Sequence, residues 1–563
     1  MFGLKSSRND PLADPRSAER WIATALPGDA LAMQQALLDV LAQLASPSTP
    51  LTPRRLAALF VVDAHAQQLF AALTAQYIGH ANRSAKIERQ IWSAIFDLTQ
   101  SFLTAYKAFD RIAFENEANA KWRALMPELI CRHVIHLARD ARVRLYRYEA
   151  WIPGKWAEVH ALVARATSMQ IERQPITLAA GRRPTTIEQQ YLMILVLQMI
   201  DGGNLTARQI EQLWDELDGW CGSLRLSMSS RTPESFYVDL GSREGMKRRT
   251  SGPLEGSVLF VDTQPLHGVL MQSQVELSQV ARDKPRSEES ARATEQLTLL
   301  TRIAAKVDPE YKPLPRQGER TPAKDSVDAI VGLAKIAGYL REQDRDPEFE
   351  SYAGTSYGGS LELAVFGRVR NEQDRKLALA RHRLAQYAAS GGPWEAKDVS
   401  TTGFRLIAPA QSAGSFAIGT LIAIRPFGKT VWTLGIVRRM KRPTADRTEV
   451  GMQLLGNDIA GVDLVEQRKN AETDYSVDGD GGTISGRSFV ALLLMLQKRA
   501  AGPAVQSLIV PLSDYQSGKR LTLVRSKGIY RVVLGGAIEQ HLDWVWTAVE
   551  AHELGKHLPA TAG

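Results

Sequence analysis

The sequence predicts a multidomain α+β protein, with an all-α N-terminal half built as a bundle or irregular solenoid and a strand-dominated C-terminal half. Three observations carry this. The chain has 563 residues, more than one hydrophobic core can serve. Apolar residues recur at spacings of three and four from Ser17 to Leu217. From Ser326 onward the pattern changes to short runs of alternating or continuous apolar residues, punctuated by Gly, Pro and Asp.

The predicted organisation runs as follows. Residues 1–16 form a disordered arm and 17–232 a helical domain. In that domain Leu37, Val40, Leu41 and Leu44 share one helix face. Thr52 before Pro53 is an N-cap with proline at the first helical position. Ile87, Ile91, Ile95, Leu98 and Phe102 mark another helix. Thr185 with Glu188 and Thr206 with Gln209 read as capping boxes. The apolar run Tyr191–Ile200 is too short to span a bilayer and reads as a buried helix. Residues 233–307 are a mixed connector holding two short strands, the patch Lys247-Arg248-Arg249 and a polar helical run. The proline- and charge-rich stretch 308–324 reads as a linker that orders on binding.

In the C-terminal half, strands are expected at Trp394–Val399, Phe404–Ile407, Thr420–Arg425, Trp432–Met440 and Val450–Leu455. Residues 466–487 are polar and glycine-rich, hence a linker. Residues 488–555 form a small β domain in which Ile529–Leu534 is expected to be buried on both faces, and 556–563 are a tail.

Composition narrows the function. The chain is 44% hydrophobic and 23% charged, ordinary for globular protein. A net charge of +8 mildly favours an anionic partner without marking a dedicated DNA binder. Two cysteines, Cys131 and Cys221, build no disulfide framework or cysteine-rich zinc site and suit a reducing compartment. The N-terminus lacks the apolar run of a signal peptide. A cytoplasmic location is the expectation.

Several patterns favour structure over chemistry. Cys131, His133 and His136 read as a structural cluster rather than a metal site, with no clear fourth ligand. Asp474, Asp478 and Asp480 lack the spacing and closing Glu of a calcium loop. The glycine-rich segment Ser351–Ser360 lacks the ending of a P-loop and reads as a loop or lid. Arg438, Arg439, Lys441 and Arg442 read as a solvated strand end. No nucleophile elbow, metalloprotease motif, dinucleotide fingerprint or credible carboxylate pair is present, so an enzyme, a metal site and a cofactor are not expected.

One constellation does point to binding. Arg316 and Arg320 lie four apart, and Asp398-Val-Ser400-Thr-Thr-Gly403 follows a strand beginning at Trp394. Behind them come the strands ending in Val450–Leu455. Over about residues 316–465 this resembles the PilZ family of cyclic di-GMP receptors, whose pattern is R-x-x-x-R before the first strand and [D/N]-x-S-x-x-G at the second turn. The resemblance implies a PilZ-like antiparallel β-barrel over 308–465 that binds cyclic di-GMP through Arg316, Arg320, Asp398, Ser400 and Gly403. Arginine forks suit both phosphate and guanine edges. Ionised Asp398 suits the guanine donor edge, and Gly403 is expected to serve a tight turn, with φ > 0 as an option.

The sequence departs from the family in the distance between the motifs. It is read as an insertion over about 341–393, between a first strand at Val327–Val331 and the second. Arg368 with Arg370 and Arg381 with Arg383 are fallback pairs with the wrong spacing. Ligand binding is expected to order the arginine arm and alter how the helical domain docks to a protein partner. The alternatives are a PilZ-like scaffold that binds no ligand and a nucleic-acid-binding protein.

Overall fold

A computed structural model describes residues 10–24, 29–46, 49–79, 85–179, 181, 183–229, 236–249, 256–283, 288–311, 319–345, 384–388, 392–409, 412, 416–426, 429, 431–444, 447–466, 487–495, 506–525, 528–541 and 543–555. Arg316, the fallback arginines, the segment Ser351–Ser360 and Asp474 to Asp480 lie outside them. The chain forms two compact units, residues 1–315 and 316–563.

Among its described residues the first unit opens with eight α-helices: α1 Pro15–Thr24, α2 Ala30–Ala42, α3 Pro53–Ile78, α4 Ala85–Glu115, α5 Ala120–Leu145, α6 Pro153–Ser168, α7 Ile187–Ile200 and α8 Ala207–Cys221. Their starts follow from the sequence. Thr52 accepts from the Arg55 amide, and Thr206 with Gln209 forms the full reciprocal box. At α7 the cap is Thr186, accepting from the Gln189 amide, one residue after the expected Thr185. Thr185 instead bridges its backbone to Ile176, and Glu188 is buried against the Arg173 guanidinium and the Leu226 amide. The run Tyr191–Leu197 is buried as expected. α3 is also long and apolar enough to cross a membrane by length and composition, but more than half of its most apolar window is buried in the unit's core.

Residues expected to form a connector belong to this core. Strands β1 Leu226–Ser227, β2 Phe236–Asp239, β3 Lys247–Arg248 and β4 Val258–Val261 make a sheet of order β1-β4-β2-β3, followed by α9 Gln264–Asp283 and α10 Glu288–Val307. Phe236, Val238, Val261, Leu266, Leu300 and Ile303 join the helices' apolar cluster, so burial draws the segment in. Arg248 stacks on Phe236 and donates to the Asp308 and Pro309 carbonyls, so it is not a free basic patch.

A buried polar network runs through the middle of this unit. Asp63 accepts from Tyr106 at 2.6 Å and Arg132 at 3.1 Å, and meets His136 Nε2 at 3.1 Å. Arg139 donates to His136 Nδ1, which assigns the proton to Nε2. Burial pushes His136 down to about 4, against the opposing pull of Asp63. Burial opposes the charge on Asp63, yet His136 and Arg132 hold it well below the ordinary carboxylate range. His133 turns instead to Asp110 and Glu158. Burial pushes the Cys131 thiol up to about 12. The two histidines serve different carboxylates, and among the described residues no His, Cys, Asp and Glu group converges as metal ligands.

Among its described residues the second unit comprises two barrels, an α-helix ahead of the second barrel strand and a further helical stretch at 384–387. Its elements are β5 Thr321–Pro322, β6 Ser326–Val331, α11 Leu333–Arg345, β7 Trp394–Ser400, β8 Gly403–Pro409, β9 Leu421–Pro426, β10 Thr433–Thr444 and β11 Arg447–Gly456. Then come β12 Ile459–Glu466, β13 Ser488–Met495, β14 Gln506–Pro511, β15 Arg520–Arg525, β16 Gly528–Gln540 and β17 Trp544–Gly555. β6, β7, β8, β11, β10 and β9 close a ring in that order, and β5 pairs with β7 from outside it. β12 to β17 close a second ring in the order β12-β13-β14-β17-β16-β15.

The two rings have the same connectivity. In each, the first, second, third, sixth, fifth and fourth strands follow one another around the barrel, all antiparallel. β12 is the first strand of the second barrel, so the stretch 459–465 does not close the first one. Asn457 and Asp458 separate the barrels, and the polar stretch 466–487 lies between two paired strands of the second ring. In β16, Val532 and Leu534 are buried while Arg531 is exposed. Burial there is one-sided, as a closed barrel requires, with alternate residues facing inside and outside.

α11, whose last turn runs into the segment expected as an insertion, joins the barrels. Ile336, Tyr339 and Leu340 share an apolar cluster with Trp432 and Leu434 of the first barrel and Leu492, Leu494 and Trp544 of the second. Gly461 lets the helix come close: a Cβ there would lie 2.1 Å from the Ala337 carbonyl oxygen. Arg341 pairs with Asp463 at 2.7 Å, and Trp544 Nε1 donates to the Gly419 carbonyl at 3.0 Å.

Candidate functional site

The first barrel strand falls at Ser326–Val331, as the assignment of the arginine arm required. Just before it, Thr321 pairs with Val399 and Pro322 with Asp398. This short ladder carries Arg320 across the intervening segment. Its Nη1 donates to Asp398 Oδ1 at 2.9 Å, although the residues are 78 positions apart.

A β-bulge between Ala396 and Asp398 turns the second strand. Trp394 and Ala396 are buried upstream of it, and Asp398, buried as well, pairs opposite Arg405 of β8. Such an extra residue re-aims the side chains that follow. The Asp398 side chain is 12% exposed and ion-pairs on both oxygens, with Arg320 and with Arg405 Nε at 2.7 Å. One carboxylate therefore holds two guanidinium forks side by side. Both arginines remain partly exposed, at 46% and 39%.

Ser400 and Gly403 flank the two-residue turn between β7 and β8 and pair with each other. Ser400 Oγ donates to the Gly403 carbonyl at 3.2 Å. Gly403 is not at positive φ, so the turn does not need glycine for its backbone conformation. Space decides the matter: a Cβ would lie 2.3 Å from the Met452 carbonyl oxygen on β11. The structure thus brings together Arg320, Asp398, Ser400 and Gly403.

Neighbouring residues extend the basic character of this outer face. Register places Asp398, Arg405, Gly451 and Arg439 in one row across β7, β8, β11 and β10. Gly451 adds no side chain between the two arginines. Lys397 pairs with Glu449 at 3.1 Å in the adjoining part of the face. Arg405 was legible in principle. A two-residue turn that pairs Ser400 with Gly403 sets Asp398 near Arg405 by counting back along both strands.

Arg438 is no solvated strand end. It donates to Gln453 at 2.7 Å and makes a bidentate pair, 2.5 and 2.9 Å, with Glu539 of the second barrel. Gln453 is the register partner of Gly403, so this chain of contacts ends at the turn. Burial opposes the charge on Glu539, but hydrogen bonds from His541 and Arg438 hold it down at about 2. Arg442 is buried, with Nε 3.4 Å from the Thr448 hydroxyl.

Chemically, this face offers planar cationic donors, one acceptor carboxylate and a hydroxyl on a rigid sheet. That combination suits a small polyanion bearing hydrogen-bonding bases.

Comparison with curated proteins gives no match. Residues 16–233, which span the eight helices and the first strand of the first unit, match the family model described as "Cyclic-di-GMP receptor FimW, N-terminal domain". The match lies wholly outside the barrel that carries the arginine and aspartate motif, and it makes the helical part of this chain similar to the N-terminal domain of a cyclic di-GMP receptor family.

Proposed function

We propose that this chain is a receptor for cyclic di-GMP and that the PilZ-like barrel β6–β11 is where the ligand binds. The observation that carries the reading is the Arg320–Asp398 contact at 2.9 Å, which joins the two halves of the motif despite their separation in sequence. The similarity of the helical unit to a receptor domain of the same ligand class supports it independently.

In this reading Arg320 and Arg405, held ready by Asp398, present their forks to a phosphate or a guanine edge. Arg316 is the second arginine of the arm. Asp398 accepts from the guanine N1–H and amino group once an arginine turns to the ligand, and Ser400 donates to a phosphate. Gly403 keeps β8 close against β11, so the floor stays flat. The chain acts as a cytoplasmic receptor without catalysis of its own, and the occupied barrel alters how the helical domain docks to a protein partner.

Isothermal titration with cyclic di-GMP tests the proposal. Saturable heat is expected for the full chain, with at least tenfold weaker binding in Arg320→Ala and Asp398→Ala. Folded protein that gives no heat at micromolar ligand would leave the barrel as a scaffold and sink the reading. Binding of DNA or RNA that weakens steeply with salt, in place of the dinucleotide, would support the nucleic-acid alternative.

A further inference from the structure

A cleft in the first unit has no part in the proposed ligand site. It lies between α8 and the α9–α10 pair and encloses about 460 Å³. Leu277, Val280, Leu299, Leu300 and Ile303 contribute its apolar walls. Asp215, Glu216 and Glu276 stand around it, and all three are exposed. Among the described residues lining it none is cationic. The chain as a whole carries a net charge of +8, so the local sign is the reverse of the global one.

The shape is as informative as the charge. On α9 the positions facing the cleft recur at helical spacing: Ser273, Glu276, Leu277 and Val280. Val269, one turn earlier on the same face, is 41% exposed and prolongs the stripe. From Val269 to Val280 the stripe runs three turns, roughly 16 Å. An elongated apolar groove of that length accepts apolar side chains from one face of a helix. A carboxylate border selects lysine or arginine flanking those side chains and rejects acidic helices.

From this geometry we infer that the α8–α9–α10 cleft is a docking site for a basic amphipathic helix of a partner protein. Two or three large apolar residues at i, i+3/i+4 and i+7 enter the cleft. Basic residues beside them meet Asp215, Glu216 and Glu276. None of the cleft residues lies in the barrel unit that carries the dinucleotide motif.

The test uses the full chain and two fluorescein-labelled 14-residue model helices of identical apolar pattern, one built from Leu and Lys, the other from Leu and Glu. Fluorescence anisotropy is expected to show saturable one-to-one binding of the Leu/Lys helix and none of the Leu/Glu helix. The double variant Glu216→Lys/Glu276→Lys changes only exposed positions, so its fold is checked by circular dichroism alone. It should lose at least tenfold in affinity for the Leu/Lys helix and gain binding of the Leu/Glu helix. Val280→Asp should weaken the Leu/Lys helix tenfold or more. Unchanged Leu/Lys binding in the double variant overturns the inference. So does sedimentation showing a dimer of the unmodified chain that Val280→Asp dissociates, which would make a second copy the occupant. Titration with cyclic di-GMP should be the same in all these variants, which keeps this result separate from the barrel's.

Discussion

Replacing Gly403 with alanine tests the ligand face through a single methyl group. The added Cβ would stand 2.3 Å from the Met452 carbonyl oxygen, whereas such contacts essentially never fall below 3.0 Å. β8 must therefore retreat from β11 by about 0.7 Å at this end of the ladder, which stretches a hydrogen bond of about 2.9 Å beyond useful length. Losing one or two such bonds costs about 1–3 kcal/mol. Because Gly403 pairs with Ser400 and Asp398 pairs with Arg405 two positions on, the same retreat misplaces the arginine fork. Gly403→Ala should lower the melting temperature by several degrees and weaken cyclic di-GMP about tenfold or more, read by differential scanning calorimetry and titration. Gly456→Ala is the control, since its Cβ would meet nothing within 4 Å. A Gly403→Ala variant that matches the Gly456→Ala variant in both stability and affinity would refute the close-approach account.

Three further outcomes follow from the structure. Glu539→Gln removes the anion that neutralises Arg438 beside the ligand face and should strengthen cyclic di-GMP binding about threefold at low salt, while Arg438→Gln weakens it, both differences fading at high salt. His136 is held near 4 in the fold against 6.5 in the open chain, so its contribution is fully present above pH 6.5 and is lost as the pH falls towards 4, on the order of 3 kcal/mol. His133 is shifted the opposite way and titrates out of the fold only above 6.5, and Asp110, raised by burial, opposes the acid loss. Melting curves between pH 7 and 4 should therefore show a fall that His136→Gln flattens, and an equal slope in both proteins would contradict the assignment. Gly461→Ala forces the backbone of α11 off β12 and should cost about 1–3 kcal/mol, with α11 cut faster in limited proteolysis.

Local chemistry was the most readable part of the sequence. Thr52 and Thr206 cap helices because hydroxyl, proline and glutamine stand at fixed offsets, and Leu37 to Leu44 pack because their spacing matches one turn. Legibility fell wherever a partner lay far along the chain. Thr185 and Thr186 are equivalent as local signals, and only the backbone bridge from Thr185 to Ile176 decides between them. Ile459–Glu466 reads as a strand in either barrel, and its pairing with Ser488–Met495 and Arg520–Arg525 settles which. Asp63 looks like an ordinary helical aspartate until Tyr106, Arg132 and His136 arrive from two other helices. At the candidate site the motif spacing was visible, whereas the β5–β7 ladder that makes Arg320 a neighbour of Asp398 was not.

The repeated strand order of the two barrels has a practical consequence. Every strand of the motif-bearing ring has a counterpart at the same topological position in a ring that lacks the motif, within the same unit. β7 and β8 correspond to β13 and β14. In amide hydrogen exchange, opening of the whole unit slows or speeds both members of such a pair together. Dividing the protection of one by the other removes that common part. What is left when a ligand is added reports on the motif alone, so the molecule carries its own reference channel.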